Sequence, residues 1–104
     1  MSLFSILGIG NGRIKEALRR GAVVIDIRMA SEFDRGKVPD SINIPIDRIH
    51  INLKRIIQMK APIIICSNSD SENERVIDVL KASGVKEIYN GGSWTKLSRM
   101  VRSL

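Results

Sequence analysis

Residues 62–84 read PIIICSNSDSENERVIDVLKASG, and the fold turns on how they are read. The apolar run Ile63-Ile64-Ile65 ends in Cys66, the only cysteine of the chain. A polar stretch, Ser67 to Asn73, follows. Val76, Val79 and Leu80 then fall at helical spacing, and Gly84 stands where a helix stops. The segment predicts a buried strand that delivers a cysteine into a polar loop capped by a helix. Inward N–H groups of such a loop, with the positive end of the helix dipole, favour an anion and so a thiolate. A free cysteine is most often a small buried hydrophobe. Cys66 stands at the end of the apolar run rather than in its middle, which favours the reactive reading.

On either side the pattern repeats. Ile14, Ala17 and Leu18 form a helical stripe after Asn11 or Gly12, closed by Gly21. Ala22 to Ile27, AVVIDI, predicts a strand buried on both faces. A polar turn with a short helix near Ser31–Phe33 comes next, then a short strand over Ser41–Pro45. Asp47 is expected to cap a helix whose apolar face holds Ile49, Leu53, Ile56 and Ile57. Glu87-Ile88-Tyr89 predicts a last strand, Gly91-Gly92 a tight turn, and Trp94, Leu97 and Val101 a closing helix. Strands alternating with helices give an α/β fold, with a largely parallel sheet covered on both faces. Ligands of such sheets bind at the carboxyl ends of the strands, where Cys66 is expected.

The chain has 104 residues, 43% apolar and 27% charged, which suits one domain. Its core is expected over about residues 12–102, behind an N-terminal extension of residues 1–11. The run from Leu3 to Ile9 is too short to span a bilayer and lacks the flanks of a secretory signal. One cysteine excludes an internal disulfide and a cysteine-built metal site, and fits a reducing, cytoplasmic setting. The net charge is +6, grouped in Arg13–Arg20, Arg48–Lys60 and Lys96–Arg102. No aromatic residues interleave with these groups, so they read as solvated helix faces rather than a nucleic-acid surface.

At this point the sequence resembles the single-domain rhodanese-like proteins. Val24-Ile25-Asp26-Ile27-Arg28, then Glu32-Phe33 and Gly36, is similar to the family's V-x-D-x-R…E-F…G. Lys37 to Pro45 resembles its G-H-I-P-G-A-x-N-I-P with three substitutions. The strand ending in Cys66 and the stretch Tyr89-Asn90-Gly91-Gly92-Ser93-Trp94 complete the likeness, in the family's order. The resemblance implies a three-layer sandwich around a central, mostly parallel sheet. It also implies sulfurtransferase chemistry without metal or organic cofactor. Cys66 would take a sulfane sulfur from a thiosulfate-like anion, hold it as a persulfide, and pass it to a thiol acceptor or partner protein. Cys66→Ser would then abolish loading with stability nearly unchanged.

The loop departs from the family's C-x-x-G-x-R-S. Here it reads Cys66-Ser67-Asn68-Ser69-Asp70-Ser71-Glu72. Counted from Cys66, the arginine position holds Ser71; counted back from Gly84, it holds Glu72. Neither register supplies the cation that would meet an anionic donor. Asp70, Glu72 and Glu74 bring carboxylates near the thiol instead. Contact amides are expected to outweigh solvent-facing carboxylates, leaving a usable but poorly guarded thiolate. Asp26 and Arg28 would shape the neighbourhood of the site, and Arg28 could pair with Glu32. Three functions compete: a persulfide-forming sulfurtransferase, a relay or binding module with little thiosulfate turnover, and a cysteine phosphatase. The last lacks its arginine clamp.

Overall fold

The computed structural model describes residues 9–104. The first eight residues of the predicted N-terminal extension lie outside the described residues. Residues 9–11, also assigned to that extension, instead begin the first helix. The elements are α1 (Ile9–Arg19), β1 (Val23–Asp26), α2 (Ala30–Arg35), β2 (Ile42–Asn43), α3 (Leu53–Ile57), β3 (Ile63–Ser67), α4 (Asp70–Ala82), β4 (Ile88–Ser93) and α5 (Trp94–Arg102).

All four strands are parallel, in the order β2-β1-β3-β4. The alternation of side chains along β3 sorts the core into two layers. Ile63 and Ile65 join Ile25, Ile27, Ile56, Val76, Ile77 and Leu80 on the α3/α4 face. Ile64 and Cys66 join Ile14, Ala17, Val24 and Leu97 on the α1/α5 face. Every residue of β3 is buried, as expected for a central strand covered by helices on both sides. Chain direction changes sides at β1, since β2 lies on one flank of it and β3 on the other. The crevice between the carboxyl ends of β1 and β3 is therefore the switch point where ligands of open α/β sheets bind.

Helix ends follow the predicted glycines. After α1 the Ala22 N–H donates to Ala17 O and Gly21 N–H to Leu18 O, with Gly21 at φ +87°. After α4 the Val85 N–H donates to Leu80 O and Gly84 N–H to Lys81 O, with Gly84 at φ +108°. Both are Schellman closures, which need a residue of left-handed backbone.

Three expectations change. The helix predicted behind Asp47 is two 3₁₀ turns, Ile46–Arg48 and His50–Asn52, followed by the short α3; Asp47 makes no cap hydrogen bond. The apolar spacing is correct through Ile49 and Ile56, but Ile57 is exposed, because tighter turns rotate the later positions off the stripe. Gly91 and Gly92 are not a hairpin-like turn: they lie inside β4, where the pairing with β3 shifts register. Gly91 is required there by proximity, since a Cβ would stand 2.6 Å from Ile64 Cγ2 and 3.1 Å from Ile65 O.

Candidate functional site

β3 runs one residue further than predicted, through Ser67, and the loop is shorter. Only Asn68 and Ser69 separate the strand from α4. That single residue reverses the side chains. The Cys66 side chain goes to the α1/α5 core, and the thiol is 0% exposed. Among the described residues no hydrogen bond reaches its sulfur. Burial pushes the Cys66 thiol up to about 12; neighbouring Asp26, its cross-strand partner, pushes the same way, and Arg28 pulls back. The expected usable thiolate is therefore replaced by a protonated core thiol. The opposing carboxylate is Asp26 rather than Asp70, Glu72 or Glu74.

The side chain that faces the loop is Ser67. Its Oγ accepts from Ser69 N–H at 2.9 Å and donates to Asn73 Oδ1 at 2.7 Å, with Ser69 O at 3.0 Å. The register counted back from Gly84 thus fits the structure. It puts the pattern's cysteine, glycine and arginine positions on Ser67, Asp70 and Glu72.

Three of the loop amides, those of Ser69, Glu72 and Asn73, are claimed from within. Ser69 caps α4: its Oγ accepts from Glu72 N–H at 3.2 Å, and its carbonyl accepts from Asn73 N–H. Ser69 Oγ also lies 3.1 Å from Ser71 Oγ. Asn68 Nδ2 donates to Glu32 Oε2 at 3.1 Å, tying the loop to α2. Asp70 and Glu74 are held away from the loop centre, because Asn90 Nδ2 donates to Asp70 Oδ1 at 2.9 Å and to Glu74 Oε1 at 2.7 Å. No cation enters. Arg75 projects from α4 toward Ile46, Ile49 and His50.

Arg28 is committed elsewhere. It is 7% exposed and pairs with the fully buried Asp26, Nη2 to Oδ2 at 2.7 Å and Nε to both carboxylate oxygens at 3.0 Å. Nη2 also donates to Gly36 O at 2.7 Å and Nη1 to Glu32 O at 3.3 Å. Its guanidinium stacks 4.1 Å from the Trp94 ring centroid. The expected Arg28–Glu32 ion pair is thus corrected: Glu32 gives Arg28 only its backbone carbonyl, and its carboxylate accepts from Asn68 instead. Asn43, read as turn chemistry, bridges the two strand ends by donating to Asp26 O and Arg28 O at 2.9 Å.

Two residues escaped the sequence reading, Asn73 and Asn90. Asn73 is 0% exposed; its Nδ2 donates to Asn90 Oδ1 at 3.0 Å and to Gly92 O at 3.1 Å, while its Oδ1 takes the Ser67 hydroxyl. The signal was present: positions 73, 76, 77 and 80 form the buried stripe of α4, and position 73 is polar. Asn73→Ala is expected to cost about 2 kcal/mol, because it leaves buried groups of β4 and the loop without partners. Urea unfolding of both chains checks this, and a loss below about 0.5 kcal/mol would contradict it.

Among the described residues no three His, Cys, Asp or Glu side chains gather to hold a metal ion, and no helix is long and apolar enough to cross a membrane.

The model of the Rhodanese-like domain family matches residues 11–99. A curated protein of Bacillus subtilis, the uncharacterized protein YqhL, is 32% identical over 71 residues. That match covers 68% of this chain and 56% of the other, so the chain spans little more than half the length of that relative. Among solved structures, a rhodanese with anions from E. coli superposes with a TM-score of 0.65 at 18% identity, covering 72% of this chain and 89% of that one. The Saccharomyces cerevisiae single-domain sulfurtransferase RDL2 gives 0.59 at 18% identity, covering 73% and 72%. At such identities these structures speak for the fold. With a parallel sheet, a strand-to-helix loop at its switch point and a family match over most of its length, this chain belongs to the rhodanese-like domain family.

Proposed function

We propose that this domain is a rhodanese-fold binding module that does not turn over thiosulfate, in preference to a sulfurtransferase that forms a persulfide on Cys66. The observation that carries the reading is the direction of the Cys66 side chain. Its thiol lies in the core behind the sheet, with its pKa pushed up to about 12, while a hydroxyl occupies the loop. Persulfide formation needs a thiolate that attacks the sulfane sulfur of the donor, forming one S–S bond as the donor's own breaks. Here such a thiolate is both scarce and shielded.

Two further features support the reading. The amides of Ser69, Glu72 and Asn73 already donate to oxygens of the loop itself, so these three are not free to cradle a transferred anion. Arg28 donates to Asp26, Gly36 and Glu32 and presents no fork to an incoming thiosulfate. The same lack of a cation argues against the phosphatase reading. The cytoplasmic setting expected from the lone cysteine remains part of the proposal.

The test is sulfur transfer from thiosulfate to a thiol acceptor, on the parent and on Cys66→Ala. Both are expected to run at the uncatalysed rate. Turnover in the parent that Cys66→Ala abolishes would overturn the proposal. A converse arm uses Ser67→Cys in the Cys66→Ala background. Position 67 is buried like Cys66, but a thiol there meets the Ser69 N–H and the first turn of α4 rather than the apolar core, so it is expected to alkylate at least about tenfold faster than Cys66 does in the parent.

A further inference from the structure

A binding module needs a surface, and a cleft lies beside the open edge of β4. It encloses about 620 Å³. Its walls come from both faces of the sheet: Arg13 from α1 and Lys96 and Met100 from α5 on one side, Asp70 from α4 on the other. A cleft with such walls follows the strand's outer edge. In the sheet order β4 pairs only with β3, so its other edge is unpaired among the described residues.

The backbone there is ready to pair. Glu87 O accepts from Ile63 N–H across the β3 side. Backbone groups alternate in direction along a parallel strand, so the N–H and C=O of Ile88 and Asn90 point outward. Further on the edge closes on itself: Gly92 N–H donates to Asn90 Oδ1, and Gly92 O accepts from Asn73 Nδ2. The open stretch thus offers four backbone groups on two residues. Its rim is cationic. Arg13 and Lys96 make no ion pair among the described residues, whereas the one acidic wall residue, Asp70, already accepts from Asn90. Tyr89 and Met100 provide half-buried apolar surface between them.

We infer that the β4 edge binds an extended acidic segment of a partner protein, which adds as a strand at Ile88 and Asn90 and sets carboxylates against Arg13 and Lys96. Main-chain pairing supplies attachment in this mode, and the alternate side chains supply selectivity. The excess positive charge of the chain, +6, favours the same partner. The inference rests on the reading of the domain as a binding module.

The probe is a fluorescent hexapeptide alternating Glu and Val, with a Lys–Val peptide as control. The Glu–Val peptide is expected to bind the full chain, to slow amide exchange at Ile88 and Asn90, and to bind at least about tenfold more weakly to the R13E/K96E variant. Equal binding of both peptides, equal binding to parent and variant, or no binding at millimolar peptide would overturn it. So would slow exchange at Ile88 and Asn90 without peptide, because the edge would then already be covered by the chain's own first residues or by a second copy. Circular dichroism of R13E/K96E is expected to match the parent, since both side chains are exposed. Sulfur turnover through Cys66 together with peptide binding would sink the functional reading alone. No turnover and no peptide binding would sink this surface alone.

Discussion

Cys66 is expected to alkylate in the folded chain at less than about a thousandth of its rate in the denatured chain at pH 7. The thiolate is the reacting species. With the thiol pushed up from 9.0 to about 12, the thiolate fraction at neutral pH falls by about three decades. Zero exposure slows it further, because the reagent must wait for the core to open. The same burial fixes the sign of a pH effect. The unfolded thiol loses its proton near pH 9, the folded one only near 12, so between these values the folded state holds the extra proton. Stability is full below about pH 9 and falls as pH rises toward 12, by up to about 4 kcal/mol at about 1.4 kcal/mol per pH unit. Cys66→Ala should lose that slope, and comparing the two chains isolates it from lysine titration. Cys66→Ser, expected from the sequence to be nearly neutral, should instead cost about 1–3 kcal/mol, since it buries a hydroxyl among Ile14, Val24, Ile64 and Leu97. Alkylation of the folded chain at the rate of a free thiol would refute the burial and reopen the persulfide reading.

The difference between the two readings of Cys66 is one residue of strand length. The sequence carries the layers of this fold well, because they depend on apolar periodicity: the β-branched runs of β1 and β3 and the helical stripes of α1 and α5 appear in the structure, while in α4 Val76 and Leu80 are buried but Val79 is exposed and Ile77 takes its place. It carries the glycine closures at Gly21 and Gly84 for the same local reason. What it does not carry is where β3 stops, since a cysteine and a serine are both small and both acceptable as a last strand residue. Side chains alternate along a strand, so that one-residue ambiguity decides which of Cys66 and Ser67 faces the loop. The helix pattern offered the correct count, because Gly84 marks the far end of α4 and the interval back to Cys66 is one residue longer than in the family's pattern. The Asn73–Asn90–Ser67 network was illegible for a different reason. Its members are 6 to 23 positions apart in the chain, and they meet only because Asn90, paired with Ile65, points to the α4 face of the sheet.

Replacing Arg28 by Met is expected to destabilise the domain by about 3–5 kcal/mol, the largest effect of any single change proposed. Met keeps much of the buried volume but removes the charge, and Asp26 is 0% exposed. What remains to that carboxylate is the Arg28 backbone N–H at 3.0 Å, too little to compensate a buried charge. The cost is not confined to the pair. The guanidinium also holds Gly36 O and Glu32 O, and so anchors α2 to the end of β1. It carries the Trp94 ring, which packs so closely on Gly36 that a Cβ there would stand 2.8 Å from Trp94 Cη2. Thermal unfolding reads the loss, at roughly 4–8 °C per kcal/mol for a domain near this size. Asp26→Asn in the Arg28→Met background should recover part of it, because a neutral amide costs less to leave unpaired than a carboxylate. Arg28→Lys should fall between parent and Met: the charge stays near Asp26, but a point ammonium cannot serve Asp26, Gly36 and Glu32 at once or stack on Trp94. A loss under about 1 kcal/mol for Arg28→Met would show that this arginine is not the scaffold of the switch point. It would then be free to meet an anion at the loop, and the proposal that the domain does not turn over thiosulfate would lose one of its supports.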